Sequence, residues 1–217
     1  MLKPEIIRSF LLAAAGSFLL SGPVSAGSYD DALSSARMGD TGQLTNLLAR
    51  GIDPDTVDAN GNTLLILAAR EGNAETVKAL LNYRPRVAYR NLAGDSALML
   101  AVLGGHDEVV DALLAAKAPL NHDGWTALHY AAFEGHQGLF DKLLAAGADI
   151  NALAPNQSDV LMLAARNGHI DLVRHLVALG VPLDRRNEAG VDAAQWARSN
   201  GNTDIAEIIE SARARRR

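Results

Sequence analysis

The sequence predicts an all-α repeat solenoid, and three observations favour this fold class. Six glycines recur at intervals of 33, 33, 30, 33 and 33 residues, namely Gly39, Gly72, Gly105, Gly135, Gly168 and Gly201. The segments that precede these glycines resemble one another, and an apolar segment with helical spacing follows each of them. A fixed period of this size is typical of stacked repeats, in which units too small to bury an apolar face alone share one continuous core.

The first helix of each unit is predicted from the segment that ends at the repeat glycine. Residues with a short side-chain oxygen stand nine positions before five of the glycines: Thr63, Ser96, Thr126, Asp159 and Asp192. They are predicted N-caps, because such an oxygen accepts a hydrogen bond from a free first-turn amide. Alanine pairs such as Ala68-Ala69 and Ala164-Ala165 let neighbouring helices approach closely. The glycine then ends the helix in a left-handed conformation.

The second helix of each unit begins directly after the glycine. Its predicted N-caps in three units are Asp40, Asn73 and Asn202. Apolar residues follow at helical spacing, as in Val77 and Leu80, and the same spacing recurs in the later units. Each unit is therefore predicted to be a helical hairpin followed by an extended connection.

Together these repeats resemble the ankyrin-repeat family. The fourth unit carries the family's pattern most fully, in Asp123-Gly124-Trp125-Thr126-Ala127-Leu128-His129-Tyr130-Ala131-Ala132, then Gly135-His136, Leu143-Leu144 and Gly147-Ala148-Asp149-Ile150-Asn151. The family's proline after the threonine is absent from every unit, and its histidine stands in one unit only, but alanine or valine suits these helix starts. The resemblance covers about residues 28–212. It implies helix-turn-helix units joined by short β-hairpin loops, about six units over residues 27–212, the first and last being caps.

The first 26 residues are predicted to be a secretory signal peptide. Lys3 and Arg8 flank an apolar stretch from Phe10 to Leu20, and small residues end the segment at Ala26. A membrane anchor is the weaker alternative, because this stretch is too short to span a bilayer about 30 Å thick. A buried amino-terminal helix of the solenoid is the other alternative. We expect cleavage after Ala26, and a periplasmic or secreted protein of bacterial type.

Composition restricts what the exported chain does. It contains no cysteine, so lipoprotein anchoring, disulfides and thiolate metal sites are excluded. Without the leader's Lys3, Arg8 and Glu5 and the four arginines of residues 213–217, the 20 basic and 25 acidic residues fall to 14 and 24. This acidic body argues against nucleic-acid binding, which depends on basic residues near phosphates. The basic tail, residues 213–217, is predicted to be a solvated terminus, with contact to a membrane or nucleic acid as the alternative.

Neither a metal site nor catalysis is predicted. His106, His136 and His169 recur at repeat spacing, and stacked units about 10 Å apart separate their rings too far for one zinc ion. His129 is expected to form a local hydrogen bond. The sequence has no nucleophile elbow, phosphate-binding glycine loop or His-Glu-x-x-His motif. We therefore expect no cofactor and no enzymatic activity.

The candidate site is the face that the resemblance implies for binding, formed by the loop tips and the exposed side of the first helices. The tip positions are Asn60, Asn62, Leu92, Asp95, Asp123, Trp125, Asn156 and Ser158, and the helix positions are Arg70, Glu71, Leu103, Phe133, Glu134, Arg166 and Asn167. Trp125 and Phe133 are large aromatics at positions that the fold does not need to bury, with Leu92 and Leu103 expected beside them. Packing of both aromatics into the core is the alternative.

The sequence favours a monomer that binds another protein on this face. The short glycine interval predicts a shortened loop beside Trp125, and therefore a notch in the edge of the solenoid. The resemblance implies either of two partners, an exported enzyme that the chain protects or assists, or a toxin that it neutralises as an immunity-type protein. Two alternatives of other classes also stay open: a small-molecule binder or enzyme that uses the notch, and a structural spacer with no defined partner.

Overall fold

The computed structural model describes residues 26–216, which form six helical hairpins. The helices within this range are α1 (Ala26–Met38), α2 (Thr41–Ala49), α3 (Leu64–Arg70), α4 (Ala74–Leu81), α5 (Ala97–Leu103), α6 (Asp107–Ala115), α7 (Ala127–Glu134), α8 (Gln137–Ala145), α9 (Val160–Asn167), α10 (Ile170–Ala178), α11 (Ala193–Ser199) and α12 (Thr203–Arg215). The all-α repeat solenoid predicted from the sequence is therefore confirmed.

The helices form two rows. Each odd-numbered helix packs against the next odd-numbered helix, from α1 through to α11, and these form the inner row. The even-numbered helices form the outer row, whose neighbours contact one another less extensively. Because closer packing along one side bends a stack of repeats, the inner row lies on the concave side. A single hydrophobic core runs between the rows from Ala32 to Ala212.

The predicted N-caps of the inner helices are confirmed in all five units for which they were proposed. The side chain of each accepts a hydrogen bond from the backbone amide three residues later, as Asp159 does from Met162 at 2.9 Å. The repeat glycines are left-handed as expected, with φ between 71° and 85°. Each cap begins an inner helix and each glycine ends it, so α3, α5, α7, α9 and α11 have about two turns each, and the loop before each helix and the end of the helix lie on the concave side.

The caps proposed for the outer helices are only partly correct. Asp40 caps α2 by accepting from Gln43, but the side chains of Asn73 and Asn202 do not cap α4 and α12. They donate instead to carbonyl oxygens near the end of the inner helix of the preceding unit, Asn73 to Ala36 of α1 at 3.2 Å and Asn202 to Ala165 of α9 at 3.1 Å. These side chains therefore join neighbouring units.

The repeat-phased histidines occupy the equivalent N-cap positions of α6, α8 and α10. The Nε2 atom of His106 lies 3.0 Å from the carbonyl oxygen of Arg70, and that of His169 lies 2.7 Å from the carbonyl oxygen of Phe133. His136 lies against Gly105. The three histidines therefore lie at the starts of separate outer helices, as the repeat spacing predicts, and each ring rests on the unit before its own.

The loops between units contain less regular structure than expected. Isolated antiparallel bridges join Val57 to Thr63, Arg90 to Ser96 and Arg186 to Asp192, and residues 26–216 contain no extended strand. The loop between α6 and α7 covers only residues 116–126, whereas the others between units contain 14 or 15 residues. The shortened loop beside Trp125 is thus present, and it contains none of these three bridges.

The amino-terminal prediction lies outside the described residues, apart from its last position. Helix α1 begins at Ala26, one residue before the predicted mature start at Gly27. Within residues 26–216, no helix has the length and apolar character needed to cross a bilayer.

The prediction of a solvated tail is wrong for Arg213. Helix α12 continues to Arg215, three residues beyond the predicted end of the domain. The half-buried Arg213 guanidinium forms ion pairs with Asp184 and, at 3.4 Å, with the buried carboxylate of Asp192. It also donates to the carbonyl oxygen of Leu183 at 2.7 Å.

Arg216 docks on the same side of the last unit. Its guanidinium donates to the carbonyl oxygens of Val177 at 2.6 Å and Val181 at 2.8 Å. These carbonyl groups lie at and after the end of α10, where a cation also offsets the negative end of the helix dipole. The basic tail therefore covers the carboxyl end of an outer helix.

We expect Arg213→Ala to lower the free energy of unfolding by about 1–3 kcal/mol, because it leaves the buried Asp192 carboxylate with one fewer cation. Arg215, which is exposed, supplies a matched control, and Arg215→Ala should change stability by less than about 0.5 kcal/mol. Urea unfolding of both variants measures the difference. Equal free energies of unfolding for the two variants would contradict the docking of Arg213 and support the predicted solvated tail.

Candidate functional site

One position of the repeat forms a continuous line along the concave side. It lies two residues before the repeat glycine, at the exposed end of each inner helix, and we call it the inner ridge. Its members are Arg37, Arg70, Leu103, Phe133, Arg166 and Ser199, and all six are exposed or half-buried. Leu103 and Phe133 pack partly against the core, and all six side chains keep exposed surface that is available to a partner.

An aromatic cluster interrupts the ridge in the fourth unit. The ring of Trp125 lies 5.4 Å from that of Tyr130 and 6.4 Å from that of Phe133, the latter nearly edge-on at 81°. Both distances fall within the range of favourable aromatic pairs. All three rings are half-buried and pack on the core with one side. The sequence offered two alternatives for Trp125 and Phe133, exposure on the binding face or packing into the core. The structure combines them, because each ring packs on the core and keeps part of its surface exposed.

A polar group borders the cluster on the side of the third unit. The hydroxyl of Tyr130 donates to the Asp95 carboxylate at 2.8 Å. Burial and then this hydrogen bond raise the pKa of Tyr130 well above its ordinary value. The guanidinium of Arg90 donates to the carbonyl oxygen of Asp123 at 3.5 Å and so connects the loop between α4 and α5 to the shortened loop between α6 and α7. Tyr130 therefore stays protonated and fixed in orientation at neutral pH.

His129 packs against the aromatic cluster from the core side. The side chain is fully buried, and its Nδ1 accepts from the Thr126 amide at 3.1 Å, which leaves the ring proton on Nε2. Its ring lies 5.7 Å from that of Trp125. Burial lowers the pKa of His129 to about 4, and the backbone of Ala152 opposes this shift only in part. The neutral imidazole is thus a structural support, with the local hydrogen bond that the sequence predicts.

Most of the proposed site residues are accessible, but two are not. Asn60, Arg70, Glu71, Asp123, Glu134, Asn156 and Arg166 are exposed or half-buried, as expected. Asn62 and Ser158 are only 3% and 0% exposed, so their placement on the binding face is wrong. The Asn62 amide is bonded to Asp58 and Asn91, at 3.0 Å and 2.8 Å, and holds two neighbouring loops together.

Three further residues of the proposed face contact neighbouring parts of the fold. Leu92 is 81% exposed, and its side chain lies against Gly61 of the preceding loop, while its place beside Trp125 stays a prediction. Asn167 is half-buried and donates to the carbonyl oxygen of Phe133 at 2.6 Å, which joins two inner helices. Leu103 is half-buried on the ridge next to the fourth unit.

Sequence reasoning missed Tyr130 and Trp196. Both stand five residues before a repeat glycine, where the second, third and fifth units have the buried leucines Leu67, Leu100 and Leu163. The Arg166 guanidinium of the fifth unit lies 4.8 Å from the centre of the Trp196 ring in the last unit, within cation–π range. Alignment of the units by their glycines would have revealed both aromatics as departures from leucine.

The notch is an open pocket of about 430 Å³ between the fourth and fifth units. Its lining residues are Asn121, His122, Asp123, Gly124, Asp149, Ala152 and Leu153. Within the described part of the chain, no three histidine, aspartate or glutamate side chains are grouped as a metal site requires.

Comparison with protein families gives one match that covers most of the chain. The family model described as "Ankyrin repeats (3 copies)" matches three overlapping segments, residues 33–119, 87–154 and 138–214. These segments include all the inner helices from α3 to α11 and the whole aromatic cluster.

Among curated proteins, the chain is 30% identical over 145 residues to the ankyrin repeat and KH domain-containing protein mask-1 of Caenorhabditis elegans. That alignment covers 67% of this chain and 4% of the relative. The chain spans between 4% and 17% of the length of this and two further relatives that it matches. The similarity is therefore to a repeat region within much longer proteins.

Two solved structures resemble the chain over most of its length. The human ASB11 ankyrin repeat domain superposes with a TM-score of 0.68 at 22% identity, covering 82% of this chain and 96% of that one, which shows the fold alone. The second is a chain from the complex of the predatory endopeptidase Bd0816 of Bdellovibrio bacteriovorus with the immunity protein Bd3460. It superposes with a TM-score of 0.75 at 27% identity and covers 83% of this chain and 97% of that one.

Proposed function

The chain belongs to the ankyrin-repeat family, and we propose that it is a non-catalytic scaffold that binds another protein on its concave side. Ankyrin repeats generally mediate protein–protein interaction, which gives the broad class. The observation that carries the narrower proposal is the aromatic cluster of Trp125, Tyr130 and Phe133. Partly exposed aromatics that are held rigidly by their neighbours lose little entropy on binding, and tryptophan and tyrosine are enriched among the residues that dominate interface energies.

Export is part of the same proposal. The basic start, short apolar stretch and small residues before Gly27 support a cleaved signal peptide and a periplasmic or secreted location. Amino-terminal sequencing of the protein recovered from the exported fraction is expected to begin at Gly27. A sequence that begins at Met1 would contradict export by cleavage.

A narrower candidate is an immunity-type role, in which the scaffold covers an exported enzyme and neutralises it. Similarity to a chain from a complex that contains an immunity protein favours this candidate. The notch at His122 gives weaker support to the rival function, the binding of a small molecule. The notch is open, and a drug-sized ligand needs a site that buries most of its surface.

The test is capture of the partner from an exported-protein extract on immobilised mature protein, with Trp125→Ala on a parallel column. A protein retained by the first column and absent from the second supports binding through the cluster. If the retained protein is an enzyme, a fall in its activity as the scaffold is added supports the immunity-type role. Retention by both columns to the same extent would contradict the proposed face.

A further inference from the structure

The charges on the inner ridge differ in sign from those on the outer helices. Three of the six ridge residues are arginines, Arg37, Arg70 and Arg166. The outer helices α4, α6, α8 and α10 carry six acidic residues and three basic ones: Glu75, Asp107, Glu108, Asp111, Asp141 and Asp171, against Lys78, Lys142 and Arg174. The outer cations pair with acids of their own row, as Arg174 does with Asp171 at 3.4 Å. Three cations therefore stand on the ridge, Arg37 at 3.6 Å from Asp58 and Arg70 beside Glu71, whereas these four outer helices carry more acids than bases.

The ridge arginines are partly fixed in position. Arg70 contacts one carboxylate oxygen of Glu71 through Nε at 3.0 Å and a terminal nitrogen at 2.9 Å, and its side chain is still 40% exposed. Arg166 lies over the Trp196 ring at 4.8 Å. A guanidinium has five N–H donors, more than these contacts use. Each arginine is therefore oriented in advance and still has donors for a carboxylate of a partner.

Apolar side chains lie between these two arginines. The order along the ridge is Arg70, Leu103, Phe133 and Arg166, one residue from each successive unit. Stacked helices lie about 8–10 Å apart, so the two arginines are separated by roughly 25–30 Å, with Leu103 and Phe133 between them. An extended segment spans that distance in about nine residues at roughly 3.3 Å each.

We propose that the ridge recognises a protein segment with an apolar or aromatic side chain at its centre and a carboxylate on each side. The central side chain contacts Phe133 and Leu103, and the two carboxylates pair with Arg70 and Arg166. Glu134 is exposed beside Phe133 and repels a carboxylate placed at the centre, whereas Glu71 at the flank is paired with Arg70, so acids are favoured at the flanks. This inference rests on the proposed function, because it specifies the chemistry of the partner for the same face.

The test uses a displayed library of random 12-residue peptides selected on the full mature chain. Peptides with acids on both sides of an apolar centre should be enriched at least about tenfold over those with bases in the same positions, equivalent to about 1.4 kcal/mol. The double variant Arg70→Glu/Arg166→Glu should abolish this preference, and Arg70→Gln/Arg166→Gln should reduce it. The matched control, Arg174→Glu on the outer row, should keep it. Circular dichroism melting confirms that each variant is folded.

The outcomes separate this inference from the proposed function. If Phe133→Ala abolishes peptide binding but the arginine variants retain the same selected sequences, the charge inference fails and the binding face stands. If peptides bind equally to Phe133→Ala, the binding face itself fails. Selection of base-flanked peptides, or of none above background, would overturn the inference.

Discussion

Replacing Trp125 with alanine is expected to weaken partner binding at least about 30-fold, or about 2 kcal/mol, the scale of an interface hot spot. Trp125 contacts Tyr130 and Phe133 and rests on the buried His129, so its removal both takes away contact area and releases the rings beside it. Because the ring is half-buried, the variant should also unfold more easily, by about 1–2 kcal/mol, less than the roughly 3–5 kcal/mol expected for a fully buried aromatic. Binding isotherms and urea unfolding measure the two effects separately.

Leu179→Ala is the matched control for this variant. Leu179 is a large apolar residue that is 48% exposed, but it lies at the end of the outer helix α10. Its truncation should leave partner binding within about twofold of the original, a difference below about 0.5 kcal/mol. A Trp125 variant that binds as well as the original protein while losing about 3 kcal/mol or more of stability, as in the core range, would show that the ring belongs to the core alone.

Gly135→Ala is expected to cause the largest loss of stability among the substitutions considered, about 2–5 kcal/mol in total. Gly135 ends α7 with φ at 75°, a left-handed conformation that costs other residues roughly 1–2 kcal/mol. A Cβ at this position would also lie within van der Waals overlap of Nδ1 of His169, the ring that rests on this unit. Overpacking of this kind adds about 1–3 kcal/mol. The free energy of unfolding in urea measures the sum.

The control for Gly135 stands three residues later. Gly138 is exposed within α8, an added Cβ there would have no other atom within 4 Å, and the residue is not among those with positive φ. Gly138→Ala should therefore leave stability unchanged or raise it by up to about 1 kcal/mol, because alanine favours the helix over glycine. Equal losses at both positions would contradict a specific role for the repeat glycine.

Much of the fold could be predicted because its determinants are local. A cap such as Thr126 accepts a hydrogen bond from an amide three residues away, and Gly135 ends a helix through its own backbone conformation, so both can be recognised in the sequence. Asn73 has a side chain of the capping type, but it bonds to Ala36, 37 residues earlier. Only the folded stack brings that carbonyl oxygen near, so the sequence indicated a cap where the structure has a link between units.

The site was less predictable for the same physical reason. Trp125 and Phe133 stand out by size alone, whereas the burial of Asn62 depends on Asn91 in the next unit. Arg213 shows the same limit, because its partners Asp184 and Asp192 follow α10 in the loop that leads to α11. A run of charged residues at a terminus usually indicates solvent exposure. The sequence does not show that carbonyl oxygens and carboxylates lie within reach of these arginines in the folded chain.

The most direct test of the central proposal is radical footprinting of the aromatic side chains in the free protein and in its complex with the captured partner. Burial in an interface slows oxidation, so Trp125, Tyr130 and Phe133 should each react at least several-fold more slowly in the complex. Tyr83, an exposed aromatic that follows the outer helix α4, should react at an unchanged rate. Protection of Tyr83 with unchanged reactivity of the three cluster residues would place the partner on the outer row and contradict the account.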